Sequence, residues 1–307
     1  MRVIISGATG FIGRALCREL RGDYELIALS RDVRKASERL GDDVKPVEWD
    51  ARTAGGWAQY VEGAYAIIDL AGESVASGPW TQSKRDSIMQ SRTNSATAVV
   101  DAVSGARDKP KVVVQASAVG YYGSRGDELL DEETDAGNGF LADVCKRTES
   151  IASRVERSGV RPVLLRTGLV LGREGGILPR FMTPYRFFAG GYVGSGRQWL
   201  PWITLRDEVR AIRFLVEHED QRGAFNLVSP NPVTMKQFAR ELGRVLGRPA
   251  WTWLPAFALR LALGRMADET LLVSERVVPT RLRDAGFSFQ DPDLKNALEM
   301  ILRGEEA

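Results

Sequence analysis

The stretch VIISGATGFIGRAL, residues 3–16, sets Gly7, Gly10 and Gly13 at every third position behind the aliphatic run Val3, Ile4 and Ile5. Glycine reaches backbone angles closed to other residues and lets a ligand approach the chain closely. After a buried strand and at the start of a helix, such a loop aims backbone N–H groups and the positive helix end at an anion. The pyrophosphate of a dinucleotide suits this arrangement, with Gly7, Thr9, Gly10, Phe11, Ile12 and Gly13 around it. The spacing is Gly-x-x-Gly-x-x-Gly, not the commoner Gly-x-Gly-x-x-Gly, so the position between first strand and first helix carries the reading.

Roughly 18 residues past Gly13 the second strand should end beside an adenosine ribose. It ends ALSRD, which puts Ser30 and Arg31 there. An acid at that spot accepts the ribose hydroxyls of NAD. A hydroxyl and a guanidinium suit a 2′-phosphate instead, because arginine binds it through paired hydrogen bonds. NADP(H) is therefore expected over NAD, with Arg34 as a second phosphate partner. Asp32 stands one residue further on, and a register shift of one would restore an acid.

Composition excludes several other functions. The 307 residues carry a net charge of +2, with 44% hydrophobic and 27% charged, which offers no strong pull toward nucleic acid or membrane. No apolar run approaches the roughly 20 residues of a membrane span. MRVIISG runs directly into a strand pattern and not a signal-peptide layout. Cys17 and Cys145 lie in helical-looking segments, so no disulfide framework is expected and the compartment should be reducing and cytoplasmic. His218 is the only histidine. A Ser-His-Asp hydrolase would depend on it, and a histidine-based zinc site is out of reach. It follows the amphipathic AIRFLVE and reads as a solvated helix end.

The elements that must position the glycine loop alternate in type. Strand runs at 2–6, 25–30, 64–71, 111–117 and 162–168, with a short one at 44–51, are separated by helix patterns at 11–21, 32–40, 80–104 and 139–158. This alternation implies an α/β fold: a doubly wound parallel Rossmann sheet covered on both faces. The pattern continues to about residue 172. Beyond it the texture turns rich in Gly, Pro and aromatics, followed by helix patterns at 205–217, 234–246, 255–263 and 290–303. A Rossmann domain over 1–172, with 200–218 returning to it, and a smaller α+β substrate lobe over 173–307 are expected. Phe287 and Phe289 alternate as a short strand would.

These motifs together resemble the extended short-chain dehydrogenase/reductase family: GATGFIG opens it, IDLAGES stands where its members have the fourth strand, and QASAVGYYG stands where they carry a Ser or Thr before YG. WITLRDEVRAI is similar to the later segment that returns to the sheet. The closer resemblance is to the "epimerase family" branch once labelled cell-division inhibitors, through LAGESV, FLA.VC, LRTGLVLG, GGYVGSGRQWLPWI and VVPTRL. It spans nearly the whole chain, and it implies a Rossmann domain for NADP(H) with a carboxy-terminal lobe for substrate. Residue by residue it implies cofactor contacts at the glycine loop, Ser30, Arg31, Leu70, Ala71 and Gly72, and at Arg92 and Val170. By the same analogy Asp50 would meet the adenine. Glu73 is either a ribose ligand or a loop carboxylate, and Arg92 either a phosphate ligand or half of a surface ion pair.

The larger family uses a Tyr-x-x-x-Lys pair one helical turn apart, in which the lysine lowers the tyrosine pKa for proton exchange with substrate. In FLADVCKRTESIA the alignment through Glu149 puts Leu141 and Cys145 in those slots. A slide of one offers Ala142 and Lys146, so neither register supplies the pair. Ser117, Tyr121 and Tyr122 remain as catalytic candidates, each with a packing or strand-end alternative. Cys145 is either a thiol for redox chemistry or a small apolar helix residue. Arg186 and Arg197 would clamp an anionic substrate or stay solvated; Trp199 and Trp202 would stack on a ring or fill the core between lobes.

The leading expectation is an NADP(H)-dependent oxidoreductase-like protein that moves hydride at an oxygen-bearing carbon of a small substrate. A second is an NADP(H)-binding sensor or regulator with little turnover, and a third a nucleotide-sugar epimerase or dehydratase. No metal, nucleic acid or membrane partner is expected, and the chain should be a monomer or homodimer.

Overall fold

The aliphatic runs pair side by side in one seven-stranded sheet. The computed structural model describes residues 1–305. In chain order they form β1 (Arg2–Ser6), α1 (Phe11–Leu20), β2 (Glu25–Ser30), α2 (Val33–Leu40), β3 (Val44–Glu48), β4 (Ala64–Asp69), α3 (Gln82–Gly105), β5 (Val112–Ala118), β6 (Leu129–Leu130), α4 (Phe140–Ala152), β7 (Arg161–Thr167) and β8 (Leu169–Leu171). There follow α5 (Leu178–Arg186), β9 (Gly190–Val193), β10 (Trp199–Leu200), β11 (Trp202–Thr204), α6 (Leu205–Glu217), β12 (Gly223–Leu227), β13 (Val233–Thr234), α7 (Met235–Leu246), β14 (Ala250–Leu254), α8 (Ala256–Leu263), α9 (Arg265–Thr270), β15 (Arg276–Val277), α10 (Thr280–Asp284) and α11 (Leu294–Arg303).

The sheet order is β12-β7-β5-β4-β1-β2-β3, with every pairing parallel. Parallel strands covered on both faces must be apolar on both. Accordingly Val3 and Ile5 join one core with Leu16 of α1 and Ile212 and Leu215 of α6, while Ile4 joins the other with Val99 and Val103 of α3. The order reverses at β1, so a crevice opens outside the carboxyl ends of β1 and β4, where doubly wound sheets bind ligands.

A third core holds the later elements: Leu178 and Tyr185 of α5, Trp202, Phe238 of α7 and Leu298 of α11 pack together. Short ladders bind this region internally and to the sheet domain: β14 runs parallel with β9, β11 with β8, and β15 with β6.

GAFNL, to which the sequence assigned no element, is the edge strand β12 beside β7, and two sequence expectations are corrected. Phe287 and Phe289 form no strand; they lie edge to face at 4.9 Å and 88°, with Phe287 also against Phe214. The helix from 139 stops at Ala152 and tightens into a 3₁₀ segment to Ser158, closed by Gly159 at φ +77°. No helix of the described residues is long and apolar enough to cross a membrane.

Candidate functional site

The glycine loop lies at the crevice, and its spacing has a steric cause. Gly7 has φ +66°, and a Cβ there would lie 2.7 Å from Leu70 O; a Cβ on Gly13 would lie 2.3 Å from Gly7 O. Both contacts are with backbone, so neither position accepts a side chain. Arg14 N bonds to Gly10 O at 3.0 Å as α1 begins, which leaves the first-turn amides of Phe11, Ile12 and Gly13 to an outside acceptor by helix geometry. The Phe11 ring packs on Gly175, where a Cβ would come within 2.4 Å of it, so Phe11 can offer the crevice its backbone but not its ring.

Behind the loop sits a residue that sequence reading missed. Asp69, fully buried at the end of β4, accepts from Ser6 Oγ and from Ser95 Oγ at 2.7 Å, and Ala71 N reaches it at 3.2 Å. Burial pushes its carboxyl pKa up, opposed by these hydrogen bonds. Asp69 thereby holds Leu70, Ala71 and Gly72 against the glycine loop. Its place, as the last residue of an aliphatic strand, was the available signal.

A groove of about 700 Å³ runs from Gly7, Thr9 and Gly10 to Ser30 and Arg31, past Leu70 to Glu73. Lys35 and Arg39 of α2 also line it. Asp32 is spent as the N-cap of α2, accepting from Lys35 N at 2.9 Å, so the acid is directed into the helix start. Arg34, expected as a second phosphate partner, pairs instead with Glu38 at 3.2 Å on the exposed side of α2. Lys35, the next residue, and Arg39, one turn on from Lys35, line the groove instead. Glu73 lines the groove and is ion-paired to Lys84, which holds its carboxyl pKa down. Asp50 likewise turns on its own loop, accepting from Arg52 N at 2.8 Å and Thr53 N at 2.9 Å.

Past Leu70–Gly72 the groove continues into a second cavity of about 740 Å³. Its walls are Val75, Val119, Leu141, Val144, Leu169 and Phe181 with Leu263 and Met266, so it is mostly apolar. Leu141 and Cys145 both face it, which fixes the register of α4: Ala142 is buried elsewhere and Lys146 pairs with Asp143 at 2.8 Å. The tyrosine and lysine positions of the larger family are thus filled by an isobutyl group and a thiol. Burial pushes the Cys145 thiol up to about 11, and it donates to Ala118 O at 3.6 Å, which leaves it a packed, protonated thiol. Arg92 also lines the cavity; its guanidinium donates to Glu73 O at 3.0 Å and Ile88 O at 3.2 Å.

Ser117 reaches the cavity at the end of β5 and donates to Glu149 Oε1 at 2.6 Å. Glu149 is held in turn by Arg166 through paired bonds of 3.1 and 3.0 Å. Burial opposes the Arg166 charge, yet Glu149 keeps that guanidinium firmly protonated. Tyr122 is corrected as a proton donor. It is fully buried, donates to Asn226 Oδ1 at 2.7 Å and accepts from Arg166 Nη1 at 3.0 Å, and burial pushes its phenol pKa well up. Tyr121 lies under Arg166, 3.5 Å from ring centre to guanidinium, and packs with Val119 and Tyr122 outside the cavity wall. The YYG turn is therefore a packed aromatic corner.

Five further positions lie outside the cavity. Val170 is buried in the sheet core on β8, and its neighbours Thr167, Gly168 and Leu169 line the cavity instead. Trp202 fills the third core and donates from Nε1 to Asn231 O at 3.2 Å. Arg186 and Arg197 are both exposed, away from the cavity wall, where Arg180 is the arginine of this lobe. Trp199 bonds Asp127 at 2.7 Å, under Arg276.

The chain is similar to known proteins over nearly its whole length. A model of the NAD dependent epimerase/dehydratase family matches residues 3–227, and a model described as a domain of unknown function, DUF1731, matches 254–301. The chain is 36% identical to an epimerase family protein of Mycobacterium leprae over 96% of its own length and 94% of the relative's. It is 37% identical to a chloroplastic epimerase family protein homolog of Arabidopsis thaliana, over 99% of this chain and 87% of the relative. Among solved structures it is similar to human epimerase family protein SDR39U1 (isoform 2), crystallised with NADPH, at 30% identity and a TM-score of 0.89 over 99% of each chain.

Proposed function

The chain belongs to the NAD dependent epimerase/dehydratase family, and from that premise we propose that it is an NADPH-dependent oxidoreductase that reduces the carbonyl group of a small, largely apolar substrate. The observation that carries the reading is the continuity of two unlike spaces. A glycine-floored, basic-walled groove passes Leu70–Gly72 and opens into an apolar cavity with Ser117 at its wall.

The groove fits a phosphorylated dinucleotide. Gly7 and Gly13 leave no room for side chains between α1 and β4, so a pyrophosphate can lie against bare backbone. Arg31, Lys35 and Arg39 would hold the 2′-phosphate, and Ser30 would bond the same ribose. The crystallised human relative with NADPH supports the same choice. When bound, the nicotinamide supplies a hydride at the cavity end of the cleft. Residues 1–172, with the returning segment 200–218 and the sheet strand β12, would then be the cofactor domain, and the rest of 173–307 the lobe that covers substrate.

The rest of the chemistry falls to the chain's own residues. Ser117 has its proton directed at Glu149, so toward a substrate oxygen it can only accept a hydrogen bond. That suits the hydroxyl of the alcohol form, which has a proton to donate to Ser117 Oγ, whereas the carbonyl form is positioned by the cavity walls. The apolar walls exclude water and select the substrate by shape and hydrophobic area. A nucleotide sugar fits poorly, because neither Arg186 nor Arg197, the expected anion clamps, lines the cavity, and Arg180 is the arginine of that lobe its diphosphate would meet.

A second reading, occupancy without turnover, draws on Leu141 and Cys145, which cannot exchange a proton as Tyr and Lys do. One experiment separates the two. NADPH added to the chain should show a blue-shifted fluorescence, and its absorbance should decay on addition of apolar ketones, aldehydes or quinones. Binding with no decay on any of them favours the second reading; no binding ends both.

A further inference from the structure

Glu275 is the one carboxyl group on the cavity wall with no described partner. It stands where the chain enters β15, whose Arg276 pairs with Leu129 of β6. The chain is anchored there: Glu275 N donates to Trp199 O at 3.4 Å, and the side chain of the preceding Ser274 donates from Oγ to Gly126 O at 2.7 Å. The side chain is 5% exposed and lines the cavity, and among the described residues it makes no hydrogen bond or ion pair. Burying an unpaired carboxyl costs free energy that a folded chain seldom leaves uncompensated. Burial pushes its pKa up to about 8, with no cation to oppose it, so at neutral pH it carries a proton.

The hydroxyls of the serine and threonines on the wall are committed. Ser117 donates to Glu149, Thr167 to Glu208 Oε1 at 2.9 Å, Thr148 to Val144 O at 2.9 Å and Thr270 to Met266 O at 2.6 Å. Glu269 accepts from Leu141 N at 2.9 Å and so fastens α9 to the start of α4. The charged and titratable groups that share the cavity with Glu275 are Arg92 of α3, Cys145 of α4, Arg180 of α5 and Glu269 of α9; Arg276 beside it turns away over the Trp199 ring at 4.6 Å.

We propose that Glu275 is the proton donor of this site, taking the role left vacant by the missing tyrosine and lysine. The proposal rests on the carbonyl-reduction reading above. The carbonyl carbon gains a hydride with its electron pair from the nicotinamide, the C=O π bond opens, and the oxygen takes the proton that Glu275 releases. The products are an alcohol and the oxidised cofactor, and the Glu275 carboxylate recovers its proton from water once the alcohol leaves. In the reverse direction the carboxylate accepts the hydroxyl proton.

The test compares the full chain with Glu275→Gln and Glu275→Asp. Expected for Glu275→Gln are unchanged NADPH fluorescence on binding and a loss of about 100-fold or more in NADPH oxidation with apolar ketones, aldehydes or quinones, the scale of a positioned general acid. Glu275→Asp should recover part of the rate and keep the fall in kcat/KM at high pH that Glu275→Gln loses. Infrared spectra at neutral pH should show a protonated carboxylic acid band in the parent chain that weakens in Glu275→Gln, a readout that needs neither cofactor nor turnover. Glu275→Gln with parental turnover, or with no change in that band, overturns the donor role and leaves carbonyl reduction standing. A parent chain that binds NADPH but oxidises it with no substrate of the panel overturns carbonyl reduction and the donor role together.

Discussion

Arg31 lines the groove wall and has an exposed side chain, so its replacement tests cofactor choice with little risk to the fold. Arg31→Ala is expected to weaken NADPH binding by about 10- to 100-fold, the scale of one or two charged hydrogen bonds, while leaving NADH nearly unaffected. Titration calorimetry with both nucleotides checks this, and equal losses for both would remove the 2′-phosphate from the account. Tyr122 gives the opposite kind of test. Tyr122→Phe removes a hydroxyl that satisfies Asn226 and Arg166 together, so it should lower stability by about 1–3 kcal/mol in urea unfolding, with NADPH binding intact. At this scale the sequence was legible as to position where a residue sits in a glycine turn or at a strand end: Gly7 and Ser30 line the groove and Ser117 the cavity. It was not legible where a partner distant in sequence claims the side chain. Tyr122 looks like a phenol beside an active site until Asn226, 104 residues later, takes its hydroxyl. Arg34 and Lys35 are equivalent charges in the sequence, and only the turn of α2 decides which faces the groove.

The elements were legible wherever local pattern and tertiary role agree. β1, β2 and α6 run as their periodicity dictates, because strands buried on both faces must be aliphatic and a helix on a sheet must be amphipathic. The misses share a cause. β6, β10, β13 and β15 are two residues each, too short to show alternation, and exist only through the strand they meet. α5 contains Pro179 and Pro184, which argue against a helix locally; packing of Leu178 and Tyr185 into the third core outweighs them. The junction of β1, α1 and β4 is the element pair on which the groove depends. A methyl group at Gly13 would have to push Gly7 O away, and with it the loop that Leu70 backs. Gly13→Ala is therefore expected to abolish measurable NADPH binding and to destabilise the chain by about 1–3 kcal/mol through overpacking. Gly10→Ala, whose Cβ would lie 3.0 Å from Gly7 O, should cost less in both. Fluorescence titration beside thermal melts of the two variants reads the difference; if the ranking reverses, close approach of α1 to β4 is not what the spacing serves.

For the whole molecule, the buried acids set how stability responds to pH. Glu208 in α6 is 1% exposed, and burial pushes its pKa up to about 8, opposed by the bond from Thr167; Glu275 reaches about 8 by burial alone. Against the ordinary value of 4.5, both are raised in the folded chain. Below about 4.5 folded and unfolded chains are both protonated at these sites, and the stability they permit is fully present. Between there and about 8 the unfolded chain releases protons that the folded chain keeps, so stability falls as pH rises, by on the order of 1 kcal/mol per pH unit for each group. Glu73 works the other way, because Lys84 holds its pKa down; its contribution is lost only as the pH drops below the usual carboxylate range. The chain should accordingly be most stable on the mildly acidic side, with urea midpoints that decline steadily from pH 5 to pH 8, about 3 pH units. Glu208→Gln keeps the shape and the bond from Thr167 but does not titrate, so its midpoints should decline less steeply and exceed the parent's at pH 8. Parallel declines in parent and variant would mean that Glu208 is ionised in the folded chain, and that α6 meets β7 across a charge and not across a carboxylic acid.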